Sequence, residues 1–220
     1  MYNHNPFTRR HGAGLAVAAV LAGSVVALLP ATASPAHASS RCDRALSGGP
    51  GDDWLPGNAR DNKICARAGD DEVWGRRGSD TLYGGFGQDH LYGEGGVDRI
   101  YAGDAGDEVS GGPGRDWLFG EAGADIVDGG GGADMVEGGT GNNLLYGGGG
   151  TDSIYDGPDD DDVYPGPGTD YVYLSGGLDF VYAADGWSDT IDCSPYGYEV
   201  VSYDASLDVV DGDCDEHYPL

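Results

Sequence analysis

From residue 53 to residue 179, every ninth position holds a carboxylate or its amide. Thirteen are aspartates: Asp53, Asp71, Asp80, Asp89, Asp98, Asp107, Asp116, Asp125, Asp134, Asp152, Asp161, Asp170 and Asp179. Asn62 and Asn143 fill the two remaining places. A charged face in contact with water needs no such register. Any fold that respects the period stacks these carboxylates in columns, where they repel one another unless a cation lies between them. The donors on offer are carboxylate and backbone carbonyl oxygens, which suit a hard ion. Calcium takes six to eight oxygens in flexible geometry and is preferred to magnesium, which demands a stricter octahedron.

The elements that must position these aspartates are short. The full unit reads Gly-Gly-x-Gly-x-Asp-x-U-x, with U aliphatic, and runs through fifteen copies from Gly48 to Tyr182 without a slip. Gly111-Gly-Pro-Gly-Arg-Asp-Trp-Leu-Phe119 and Gly147-Gly-Gly-Gly-Thr-Asp-Ser-Ile-Tyr155 are the fullest copies. Fixed-period self-similarity of this kind specifies a repeat architecture. The glycine-rich half makes a tight turn, and x-U-x makes a three-residue strand with its middle side chain turned inward. Two units per coil give two facing parallel sheets with the aliphatic residues between them. Units two apart then lie one strand spacing apart, about 4.8 Å, and their aspartates stack along each edge. One aliphatic residue in nine is a thin core for a glycine-rich chain, so metal binding is expected to supply much of the folding free energy.

The nonapeptide resembles the RTX, or haemolysin-type, calcium-binding repeat. That resemblance implies an all-β fold, a parallel β-roll (a right-handed β-solenoid) over residues 48–182. It also implies that each calcium lies between turns two units apart, held by the sixth-position Asp and carbonyls of the Gly-rich turn. The chain ends look like those of small secreted actinobacterial members: Ile64-Cys65 interrupts an early repeat, and Asp189-Thr-Ile-Asp-Cys193 with Gly212-Asp-Cys214 closes the array. Decayed units are expected there at Asp189/Ile191, Glu199/Val201 and Asp208/Val210. Departures from the pattern grade the sites. The edge carrying Asp80, Asp98, Asp116, Asp134, Asp152 and Asp170 is uninterrupted, and the tightest calcium column is expected on it. The other edge includes Asn143 and Asp156-Gly-Pro-Asp-Asp-Asp161, where a glycine has become Asp. Asp159 and Asp160 have two open readings, as extra ligands or as solvated charges.

The ends set the expected compartment. Arg9, Arg10 and His11 precede an apolar run from Ala13 to Leu29, and Ala36-His37-Ala38 supplies a cleavage pattern before Ser39. Residues 1–38 are therefore read as a signal peptide, 39–47 as an N-terminal cap and 183–220 as a C-terminal cap with degenerate repeats. The mature chain would be secreted and extracellular, without membrane insertion; Thr8-Arg9-Arg10 leaves Sec and twin-arginine export both open. It would keep nine basic residues against 38 acidic ones, a net charge of −29. Nucleic acid and anionic membranes are poor partners for such a charge. Cys42, Cys65, Cys193 and Cys214 flank the array, and an even count in an exported chain reads as disulfides. The expected pairs are Cys42–Cys65 and Cys193–Cys214, because a solenoid holds its two ends apart.

Other chemistry finds little footing. Asp211-Gly-Asp-Cys-Asp215 mimics the start of an EF-hand loop, but Glu216 stands where Gly is needed. No P-loop, H-E-x-x-H or G-x-S-x-G motif follows residue 38, and a non-enzymatic protein is expected. Aromatic residues occupy the ninth position in ten units, and coil spacing makes outward ladders of them, such as Tyr83-Tyr101-Phe119. Such ladders stabilise sheet faces. As long exposed apolar stripes they also suggest a calcium-dependent adhesive surface for cell-wall material or glycans.

Overall fold

The computed structural model describes residues 42, 45–193, 197–212 and 214–219. The expected signal peptide, residues 1–38, lies outside the described residues. No helix among the described residues is long and apolar enough to cross a membrane.

The nine-residue period becomes a coil of eighteen. Consecutive strands alternate between two all-parallel sheets, so each strand pairs with the strand two units away. The first sheet runs from Leu46–Ser47 through Lys63–Ala68, Thr81–Phe86 and Arg99–Asp104 to Val209–Gly212. The second runs from Trp54–Pro56 through Glu72–Gly78 and His90–Gly96 to Glu216–Pro219. Leu82, Ile100, Leu118, Val136, Ile154 and Val172 stand in register in one sheet. Val73, Leu91, Val109, Val127, Leu145, Val163 and Val181 do so in the other. All fifteen eighth-position residues are buried in one continuous core.

Strands from Lys63 to Gly132 are six or seven residues long, longer than the three expected. The turns there also pair coil to coil, Gly85 with Gly103 and Arg76 with Glu94. Later strands such as Met135–Glu137 and Ser153–Tyr155 are three residues long, as the unit implies. The inward set is wider than the aliphatic position alone. Side chains two apart share a face, and Asp98, Ile100 and Ala102 are all fully buried. The sixth and first positions of the repeat thus flank the eighth on the inside of the coil.

The coil does not stop at the fifteenth unit and makes about nine turns in all. Ile191 pairs with Val172 and Val210, and Val201 with Val181. Ile191 and Val201 join the core, and Val210 packs against it. Disulfides join Cys42 to Cys65 and Cys193 to Cys214, the two expected pairs. On the outer faces Tyr83, Tyr101 and Phe119 stack with ring centroids 5.0 and 4.9 Å apart. Tyr146, Tyr164 and Tyr182 form a second stack at 5.1 and 4.5 Å.

Candidate metal-binding columns

Each sixth-position side chain but that of Asp179, which lies inside the strand Leu178–Tyr182, enters its column from the residue before a strand, and the two oxygens of the carboxylate do different work. One oxygen extends the backbone ladder. Oδ1 of Asp98 accepts the Asp80 N–H at 2.7 Å, Oδ1 of Asp116 accepts that of Asp98 at 2.7 Å, and Oδ1 of Asp134 accepts that of Asp116 at 2.8 Å. The same bond, from the sixth residue of the preceding coil, recurs at Asp71, Asp89, Asp107, Asp125, Asp152, Asp161, Asp170 and Asp179. The other oxygen is orphaned. Among the described residues, Oδ2 of fourteen buried aspartates has no hydrogen-bond partner. A buried polar atom without a partner costs free energy that native folds normally avoid.

The surroundings of Oδ2 are oxygen-rich and lack a side chain. A Cβ added to Gly75 would lie 2.6 Å from Asp80 Oδ2 and 2.9 Å from the Gly93 carbonyl oxygen of the next coil. At Gly93 the corresponding distances, to Asp98 Oδ2 and the Gly111 carbonyl, are both 2.7 Å. At Gly111 they are 2.8 Å to Asp116 Oδ2 and 2.7 Å to the Gly129 carbonyl. The first glycine of the unit thus leaves a cradle between a carboxylate and a carbonyl from the next coil. Orphaned carboxylate oxygens beside carbonyls form a donor set that fits a hard cation such as calcium.

Burial drives the carboxyls toward the neutral form, opposed by the N–H bond at Oδ1. Asp116, Asp152 and Asp179 are pushed up to about 6. Asp89, Asp98, Asp125, Asp134, Asp161, Asp170 and Asp189 reach about 7. Asp107 and Asp156 reach about 8.

The two columns differ in their side chains. Asp80, Asp98, Asp116, Asp134, Asp152 and Asp170 stack without a break, and Asp189 continues them by donating its place to the same ladder: its Oδ1 accepts the Asp170 N–H at 2.9 Å. In the other column Asn143 interrupts the orphans, because its Nδ2 donates to the Gly141 carbonyl at 2.8 Å. Asn62, which precedes Asp80 at the start of the first column, is satisfied likewise, through Asp80 Oδ1 and the Arg60 carbonyl. The second column has Ala66, Ala102 and Leu174 at the first position, all buried, whereas the first column from Asp80 to Asp170 has one such replacement, the buried Pro165 in the unit of Asp170. Asp53 stands apart from the rest: it is half-buried and its Oδ2 accepts the Gly49 N–H at 2.6 Å. Asp159 and Asp160 are exposed and accept the Gly141 and Leu178 N–H groups, outside the orphaned set.

Three residues outside the thirteen also carry orphaned oxygens: Asp156, Asp189 and Glu199. Asp189 and Glu199 belong to the decayed units, and the pairing of Asp179 with Glu199 places the glutamate on the second column. Asp156 occupies a first position. Its only sequence signal is a missing glycine.

A family model of the RTX calcium-binding nonapeptide repeat matches the chain in four copies, over residues 47–82, 74–107, 101–136 and 137–172. No curated protein matches the chain.

Proposed function

The chain belongs to the RTX calcium-binding nonapeptide-repeat family, and from its orphaned carboxylates we infer a protein that calcium folds, held between coils by the Asp columns. The observation that carries this reading is the set of fourteen buried Oδ2 atoms without a partner. Asp80, Asp98, Asp116, Asp134, Asp152 and Asp170 are the principal ligands, with the carbonyls that face all but Asp170 across first-position glycines; the unit of Asp170 opens on Pro165. Asp71, Asp89, Asp107, Asp125, Asp161 and Asp179 form the second column, and Asp53 contributes least.

Bound calcium would supply positive charge to carboxylates that burial otherwise protonates. The chain's own residues do the rest. The Oδ1 bonds fix each carboxylate in register, and the aliphatic stack keeps water from the inner edge. The role is structural and non-enzymatic, in a protein secreted into an extracellular medium where calcium is abundant. Far-UV circular dichroism in EDTA and then in millimolar calcium tests the reading. A large gain of β signal is expected, and identical spectra would sink it.

A second reading, a calcium-dependent adhesive or glycan-binding surface, draws on the continuous Tyr83–Tyr101–Phe119 stack, whose rings are within 6° of parallel. Tyr101 has both faces covered by its neighbours. Binding to cell-wall glycans in calcium, abolished by replacing all three rings with Ser, would support it; no binding in calcium would count against it.

A further inference from the structure

Asp156 departs from its repeat in a way that creates something. It stands where the unit calls for glycine, in the cradle of Asp161, one coil beyond the interruption at Asn143. Its side chain is fully buried, and Oδ1 accepts the Gly157 and Ser175 N–H groups at 2.6 and 2.9 Å. Those two bonds hold the carboxylate inside the coil. Its Oδ2 has no partner, and neither has Oδ2 of Asp161 or of Asp179. Carboxylate oxygens of Asp156, Asp161 and Asp179 all lie within 4.8 Å of one another.

We propose that Asp156, Asp161 and Asp179 form a three-carboxylate calcium site, different in composition from the other steps of the columns, and that it fills first, the one exception to the precedence of the Asp80–Asp170 column. The proposal rests on the calcium-binding reading above and deepens it. Oxygens within that distance can share one calcium, whose bonds of about 2.3–2.6 Å span at most about 5 Å between ligand atoms. Affinity in oxygen-ligand sites rises with ligand charge and rigidity. This step has three carboxylates, and two backbone bonds fix the third. The position also makes sense along the column. Asn143 removes one carboxylate from the second edge, and Asp156 restores one nearby. Without it, this edge would enter the last coils with a weakened step behind it and Leu174 in the next cradle.

Calcium titration of the full chain by calorimetry or flow dialysis tests the proposal, with Asp156→Asn, Asp156→Gly and Asp159→Asn alongside. Asp156→Gly restores the repeat unit, so it folds even if the amide does not. Wild type should show one site that fills before the rest. Both Asp156 variants should weaken that first step at least about tenfold. Asp159→Asn makes the same charge change on an exposed residue of the same turn and should shift it less than about twofold. A first step unchanged in both Asp156 variants, or weakened equally by Asp159→Asn, overturns the three-carboxylate site while calcium binding stands. No calcium uptake by wild type overturns the calcium reading itself.

Discussion

At the scale of a single residue, the sixth-position aspartate is two groups on one stem. Oδ1 is a structural acceptor that replaces a missing carbonyl in the ladder, while Oδ2 is free for a metal. The chain contains its own controls for separating the two. Asn143 keeps the first role, accepting the Asp125 N–H at 3.0 Å, and gives up the second. Asp116→Asn should therefore behave oppositely with and without calcium. In EDTA it replaces an orphaned, buried oxygen with a donor that can reach a turn carbonyl, and circular dichroism should show a larger folded fraction than wild type, equivalent to about 1–3 kcal/mol. In calcium the same variant loses a ligand, and its gain in stability on adding metal should fall below that of wild type. Asp116→Ala also strands the Asp98 N–H and should be the less stable variant in both conditions. Equal effects of the Asn variant in EDTA and calcium would refute this division of labour.

At the scale of the turn, the spacing between coils decides which glycines are indispensable. Gly132 has φ +149°, and a Cβ there would lie 1.4 Å from the Gly114 carbonyl oxygen of the preceding coil. A Cβ at neighbouring Gly131 would meet nothing within 4 Å, and its backbone lies outside the left-handed region. Gly132→Ala should cost at least about 1–3 kcal/mol in calcium-loaded protein. Gly131→Ala should be neutral or stabilising by up to about 1 kcal/mol, through the unfolded chain. Thermal melts of the two variants check the pair, and equal shifts would refute it. Left-handed backbone is not confined to glycine here: Arg67, Arg76, Glu94 and Glu121 occupy the second position with φ between 64° and 89°. Sequence pattern made the aliphatic stack and the cysteine pairs legible, because both follow from one period. It did not reveal that the turns around Gly85 and Arg76 lengthen the strands, since that pairing depends on backbone shape and not on residue type. Asp156 was legible only as a lost glycine, because a repeat pattern records what a position lacks more readily than what a substitute adds. Glu199 was legible as the acidic member of a decayed unit, but its register against Asp179 was not. Its coil is two residues longer than the repeat, so counting by nine does not place it opposite Asp179.

At the scale of the whole molecule, the columns tie folding to both calcium and protons. Burial raises Asp116, Asp98 and Asp156 to about 6, 7 and 8 in the folded chain without metal, above the ordinary carboxylate range near about 4, and raises Asp71 and Asp80 as well. Between those limits the folded form binds more protons than the unfolded form, so stability without metal falls as pH rises through that window. Below about pH 4 both states are protonated, and this contribution to stability is fully present. Above about pH 8 it is gone, and the columns confront one another as charges in a chain whose formal net charge is −27. Calcium acts at the opposite end, because its ligands must be ionised and protons compete with it. Circular dichroism in EDTA should therefore show β structure gained on acidification from pH 8 to pH 5. The difference between calcium and EDTA should be largest near pH 8 and shrink toward pH 5. An EDTA signal that stays flat from pH 8 to pH 5 would mean that the buried carboxylates do not control folding. On the calcium reading, the same coupling gives an expected direction of response: a calcium-poor medium at neutral pH should leave the chain open, and a calcium-rich one should close it.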